Sequence, residues 1–388
     1  MRKQFKITAP AALMASIALA ACGGQAAPAS SGAAPVSSAA AAASKPAAPA
    51  SSAAAASAKP SGGAAAKPSG SPAGGASAKP AAGGVTVRLG TNPVSPSNGF
   101  VWIGQEQGLF AKNGVNVDLQ GLNGSVRSQA LLSGQIDAEV GGGPQEFVAA
   151  RAQGAPLTII ATFSRKFDDV LLVNSNITAP EQLKGKTIGA VTNTSVDAQG
   201  ATMYFHEYGM EPDRDYKLVG VGAATSQAGP AAAMAAHQVD AALLQEDFAR
   251  GVVQQGGGRV LVDLATDTDL VLPGVPINVR NDIIQKNPDA VQKMLDGLID
   301  SVRYTKEHPA ETKASWMKRY KIDDPARMDL IYQREMELWT LDPTTDKAAL
   351  QEVINFMSTS TPAAKNLDPG SLYDPRFVED AEKRGITK

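Results

Sequence analysis

Residues Leu131 to Phe147 read LLSGQIDAEVGGGPQEF, and a later stretch, Met234 to Phe248, reads MAAHQVDAALLQEDF. Each has a helix-like lead, a polar turn, an aliphatic residue, Asp-Ala, a short apolar run and then polar residues. That order describes a helix end, a turn and the entry into a central strand. The strands then end in Gly141-Gly142-Gly143-Pro144 in the first copy and Gln245-Glu246-Asp247 in the second, residues suited to the carboxyl edge of a sheet. In open α/β sheets, ligands bind beyond that edge. Two such edges facing one another would line one cleft.

Working outward from the first copy, strand-like and helix-like runs alternate. VTVRLGT (Val85–Thr91) is a strand, and GFVWIGQEQGLFAKNG has helical spacing at Phe100, Ile103 and Phe110. VNVDLQGL is a strand, VRSQALLSG a helix, PQEFVAARAQG a helix and LTIIATF a strand. Around the second copy, Thr187–Val191, Tyr216–Val221, Ala241–Leu244 and Arg259–Leu264 read as strands. Ser195–Tyr208, Gln227–His237 and Phe248–Gln255 read as helices. Alternation of this kind predicts parallel sheets with crossover helices on both faces.

The fold class is therefore α/β, with two doubly wound lobes. Lobe 1 is expected at 85–175 and 270–388, and lobe 2 at 176–269. The chain is expected to cross near Val170–Asn176 and return near Leu270–Val279, and two crossings make a hinge. From Asp282 onward the chain is mainly helical. PDAVQKMLDGLIDSVRYTKEH is an amphipathic helix that needs a surface to cover, expected to be lobe 1.

The 388-residue chain is 43% hydrophobic with a formal net charge of -2, and it has no Lys/Arg stripe or nucleic-acid-reading motif. These features argue against nucleic acid as a partner. Residues 1–22 pair a basic start (Arg2, Lys3, Lys6) with a short apolar run, the pattern of a removable targeting signal. The run ends in Leu19-Ala20-Ala21-Cys22, which resembles the lipobox of bacterial lipoproteins. That resemblance implies lipidation of Cys22, the only cysteine of the chain, and hence a lipid anchor at the cell envelope. The alternative is ordinary secretion. Residues 23–84 are rich in Ala, Ser, Gly and Pro with no aromatic or acidic residue, so they read as a disordered linker spanning roughly 45 Å.

EQGLFAKNGVNVDL, ALLSGQIDAEVGGGPQEF, EQLKGKTIGAV and MAAHQVDAALL, in that order, resemble the landmarks of substrate-binding proteins of bacterial ABC importers. The branch it resembles is the nitrate, sulfonate and taurine group, which includes binders of thiamine pyrimidine precursors. The resemblance implies a type II periplasmic-binding-protein fold, an extracytoplasmic monomer that closes on a small polar or anionic solute, and delivery to a membrane permease. No cofactor is implied. Two departures bear on the ligand: His237-Gln238 stands where the family usually has glycine plus a residue, and Gln245-Glu246-Asp247 where it often has Trp-Glu-Pro.

The candidate binding residues come from the strand ends. After the first strand they are Thr91, Asn92, Asn98 and Phe100, with Ser95 and Ser97 between. The glycine turn adds Gly142, Gly143 and Pro144, and the fourth strand ends in Phe163 and Ser164. In lobe 2 they are Asn193, Thr194 and Ser195 before a helix, and Gln245 and Glu246. Each has a plain structural alternative, such as capping a helix, allowing a tight turn or packing the hinge. Arg127 and Arg165 are candidates to pair with an anion, and the sign of the cleft stays open.

His206, His237 and His308 show no metal-ligand spacing, the expected globular part has no thiol, and no nucleophile motif is present. The reading is a binding protein rather than an enzyme. The alternatives are a sensory lipoprotein and an enzyme of pyrimidine metabolism on the same scaffold.

Overall fold

The computed structural model describes residues 85–222 and 227–388. The expected signal (1–22) with Cys22 and the expected linker (23–84) lie outside the described residues. In chain order the strands are β1 Thr86–Thr91, β2 Asn116–Gly121, β3 Ala138–Val140, β4 Leu157–Ser164 and β5 Asp169–Val173. They continue with β6 Thr187–Ala190, β7 Lys217–Gly220, β8 Ala241–Gln245, β9 Arg259–Asp263 and β10 Gly274–Arg280.

One five-stranded sheet is ordered β2-β1-β3-β10-β4 and the other β7-β6-β8-β5-β9. When β6 to β9 are counted as the first to fourth strands of their own lobe, the two orders coincide: second, first, third, a strand shared through the hinge, fourth.

The shared strands explain a departure from expectation. β5 follows β4, and β10 follows β9, with no helix between. A parallel neighbour requires a long crossover, usually a helix. A strand that passes directly from one sheet to the other lacks that crossover, and β5 and β10 both run antiparallel to their neighbours. Each sheet is therefore mixed, not wholly parallel. The lobe boundary shifts as well. Asp169–Val173, expected in lobe 1, pairs with β8 and β9 of the second sheet, so the first crossing is at 165–168 and the return at 264–273. β5 is buried at every position, so its sequence carries no two-faced pattern that could assign it to a sheet.

The doubled stretch is one device used twice. The helix Gly124–Ser133 ends with Gly134 in the left-handed region at φ 78, and the helix Ala228–Ala235 is followed by His237 at φ 53. In both, the residue after that position donates its N–H to a carbonyl five residues back: Gln135 to Ala130 and Gln238 to Ala233, each at 2.8 Å. This closure uses carbonyls that a helix end would leave without partners.

The aspartate comes next. Asp137 Oδ2 accepts the backbone N–H of Arg88 at 2.9 Å, and Asp240 Oδ2 accepts that of Thr187 at 3.0 Å. Each aspartate's own N–H donates to the carbonyl of the same partner residue at 2.8 Å. The side chain thus completes the ladder one residue before the strands pair, at Leu89 with Ala138 and at Ile188 with Ala241. The preceding aliphatic residue covers a glycine. A Cβ on Gly90 would stand 2.5 Å from Ile136 Cδ1, and one on Gly189 would stand 3.2 Å from Val239 Cγ2. The motif sets the register of the first and third strands in each lobe.

The C-terminal helices cover the first sheet, as their apolar faces require. Trp316, Leu338, Trp339 and Phe377 share one core with Val87, Phe100, Phe163 and Ile277. Helix Pro325–Leu338 also reaches the other lobe: Arg334 pairs with Asp263 of β9, and Arg327 pairs with Asp247. Among the described residues, no helix is long and apolar enough to cross a membrane.

Candidate functional site

Carboxyl ends of strands from both sheets, with the starts of antiparallel β5 and β10, line a cleft of about 440 Å³. That lies within the usual range for small-molecule sites. A second, larger cavity of about 1040 Å³ adjoins it on the outer side of Gln245, sharing Asn92, Ser97, Asp168, Gln245 and Glu335 and lined further by Glu246 and Arg327. The lobes meet across the inner cavity: Gln145 Nε2 donates to Gln199 Oε1 at 2.5 Å, linking helices Pro144–Ala152 and Val196–His206.

Asn92, Asn98, Gly142, Gly143, Pro144 and Ser164 line the inner cavity from lobe 1, and Thr194, Ser195 and Gln245 line it from lobe 2. Glu246 lines only the outer cavity, where it pairs with Arg250 at 2.9 Å. Asn193 is exposed and lines neither. Thr91, Phe100 and Phe163 are fully buried and line neither cavity. Thr91 Oγ1 instead accepts from Asn98 Nδ2 at 2.9 Å. The two phenylalanine rings lie 4.9 Å apart, and Phe100 packs edge-on against Trp339, which does line the cavity. Both sit at the ends of sheet-packing elements, where apolar bulk is drawn inward. They shape the wall from behind.

The glycine turn is dictated by crowding. Gly141 has φ 80, and a Cβ there would stand 2.6 Å from Asn98 Nδ2; a Cβ on Gly142 would collide with Glu139 Oε1. Glu139 is buried between Arg127 Nε at 3.1 Å and Asn278 Nδ2 at 2.8 Å. Burial still holds its carboxyl above the usual range, the attraction of Arg127 notwithstanding.

The basic groups are already engaged. Arg127 pairs with Glu139 and donates to the Gly141 carbonyl at 2.8 Å. Lys166 donates to the Ala265 carbonyl at 2.6 Å, and Arg165 pairs with Asp342 outside the cavity. Arg334 bridges Asp168 at 2.9 Å and Asp263 at 2.8 Å.

At the helix N-terminus in lobe 2, Asp197 Oδ2 accepts the Val191 N–H at 2.7 Å. Ser195 closes a turn on Thr192 instead of capping the helix.

Reading the sequence missed the acids of this cavity: Glu146, Asp168, Asp169, Asp197 and Glu335. Burial drives Asp169 and Glu335 well above the ordinary carboxylate range, with further repulsion on Asp169 from Asp197 and Asp168 and on Glu335 from Asp168. Asp168 and Asp169 fall in an apolar strand-like run and Asp197 inside a helix. Glu335 and Trp339 lie in C-terminal segments with no local motif, so only their shared position on the cavity marks them.

Two sheets of one wiring, joined by two hinge strands and closing on a cavity at their strand ends, define a two-lobed periplasmic-binding-protein fold. The family described as "NMT1/THI5 like" matches residues 95–312, more than half of the chain, and the chain belongs to that family.

A relative in Brucella abortus (strain 2308), provisionally named a binding protein, is 26% identical over 226 residues, covering 57% of this chain and 67% of that protein. Among solved structures, the periplasmic aliphatic sulphonate binding protein SsuA of Escherichia coli is 20% identical with a TM-score of 0.61, over 75% of this chain and 92% of its own. The desulfurization enzyme DSZB is 18% identical with a TM-score of 0.55, over 77% and 99%. The fold resemblance expected from the sequence is borne out. One fold serves both a binder and an enzyme, so function has to be argued from the site.

Proposed function

We propose that this chain is an extracytoplasmic, lipid-anchored solute-binding protein that captures a small molecule between its lobes and delivers it to an ABC permease. The observation that carries this reading is the inner cavity, bounded by strand ends of both sheets and bridged by Gln145 and Gln199. A ligand touching both walls binds the closed arrangement better than an open one and shifts the population toward it. The Brucella relative's name and the SsuA fold support binding. Turnover is not needed: the cavity's Ser164 and Ser195 hydroxyls are engaged in local turns, with no histidine partner among the bonds they make.

The test is a thermal-shift and calorimetric screen of the purified full-length chain, with recovery of the bound compound. One-to-one binding of a compound that is recovered intact is the expected result. At a hundred times its dissociation constant such a ligand stabilises by about 2.7 kcal/mol. Chemical conversion of the compound would move the reading to an enzyme. Incorporation of labelled fatty acid that disappears in Cys22→Ser tests the anchor, and copurification with a permease tests delivery.

A further inference from the structure

Among the described residues, the inner cavity is lined by five acids (Glu146, Asp168, Asp169, Asp197 and Glu335) and two bases (Arg127 and Lys166). Both bases are engaged by protein oxygens, Glu139 and the Ala265 carbonyl. At the start of helix Val196–His206, where backbone amides could hold an anion, stands the buried Asp197 carboxylate, bonded to the Val191 N–H. Acids therefore outnumber bases on this cavity, and an entering anion would meet the carboxylates while both bases are already paired.

The atoms left without partners point the same way. Asn98 Oδ1, Gln145 Oε1 and Glu335 Oε2 are buried, belong to cavity-lining residues, and accept no hydrogen bond. These residues are only 2%, 3% and 3% exposed. The orientation of Asn98 is fixed because its Nδ2 donates both to Thr91 Oγ1 and to the Val140 carbonyl, which can only accept. Its free atom is therefore an acceptor. Asp169 receives one long bond, 3.5 Å from Gln227 Nε2. Buried acceptors without donors carry an unmet desolvation cost, larger when charged, and a ligand that donates hydrogen bonds would remove that cost.

We propose that the solute of this cleft carries a protonated nitrogen group, a primary ammonium, an amidinium or a guanidinium, held by Asp169 and Glu335 with Asn98 and Gln145 as neutral acceptors. This rests on the binding reading above and sets the chain apart from the sulphonate named for its structural neighbour. Asp197 and Asp168 add to the field, while their own bonds to the Val191 N–H, Gln245 and Arg334 keep them in place.

The experiment titrates the full-length chain with two size-matched panels, one of alkylamines, benzamidine and alkylguanidines, the other of alkanesulfonates, carboxylates and nitrate. A member of the cationic panel is expected to bind, with Asp169→Asn and Glu335→Gln each weakening it at least tenfold. Asp169→Asn should at the same time raise the melting temperature of the unliganded protein, because it removes repulsion from Asp168 and Asp197. A merely structural role would lower both. Binding confined to the anionic panel, or cation binding indifferent to both substitutions, overturns the inference and leaves the binding function standing. Silence from both panels overturns both.

Discussion

Asp137→Ala removes the side chain that fixes the register of β1 against β3, and the structure sets the size of the effect. The carboxylate accepts the Arg88 backbone N–H at 2.9 Å and Nε at 3.0 Å, and it also pairs with the guanidinium end. Hydrogen bonds to a charged partner contribute about 1.5–3 kcal/mol. The guanidinium part is 40% exposed and adds little, roughly 0–1 kcal/mol. The expected loss is about 2–3 kcal/mol. Asp240→Ala removes the same backbone bond in the other lobe, where the Lys186 partner is 46% exposed, so the loss there is about 1–2 kcal/mol. The sites lie in separate sheets with no shared partner, so the double variant should lose the sum.

Asp→Asn keeps an acceptor oxygen. It should recover most of the loss at Asp240 and less at Asp137, where an amide NH₂ would face the guanidinium. Thermal and urea melts followed by circular dichroism read all of these. Losses below about 0.5 kcal/mol at both positions would show that the repeated Asp-Ala does not set strand register, and the account of the doubled joint would fall.

His237→Gly should stabilise by up to about 1 kcal/mol, since a side chain in the left-handed region is strained there. Gly134→Ala should destabilise by more than that, because its Cβ would also collide with Arg280; melts of both variants decide the matter. Arg334→Leu leaves Asp168 and Asp263 without their partner and should cost about 3–5 kcal/mol. It should also weaken any ligand, because this arginine ties a lobe 1 helix to lobe 2. An unchanged melt and affinity would refute the clasp.

Between pH 8 and about 5.5 the unliganded protein should gain stability as pH falls. Burial raises Asp168 to about 6, with Arg334, Gln245 and Asp247 facing it, and raises Asp169 and Glu335 well above normal. Asp197, Asp168, Arg334 and Asp263 face Asp169, while Asp168, Arg334, Asp247 and Ser97 face Glu335. A raised carboxyl binds protons in the folded state that the unfolded chain does not, so its contribution is present at low pH and lost as pH rises through the folded value. Asp282 and Asp374, held low by Arg280 and Arg376, stay ionised across this window. A melting temperature that falls steadily from pH 8 to 5.5 would contradict this.

The α/β alternation, two lobes and the doubled joint were legible from the sequence because each rests on local rules. A helix closes on a left-handed residue, an aspartate bonds the strand beside it, and an aliphatic residue covers a glycine, all within short segments. The positions of the glycine turn and Gln245 at strand ends were legible for the same reason: strand ends are marked by turn residues. What tertiary structure decided was partnership and burial. It assigned Asp169–Val173 to the second sheet, turned β5 and β10 antiparallel, and drew Phe100 and Phe163 behind the wall. It also collected Asp168, Asp169, Asp197, Glu335 and Trp339 from distant segments around one cavity. A strand reads the same whichever sheet receives it, and a carboxyl is ordinary until other segments remove its water, so neither fact is written in the residues nearby.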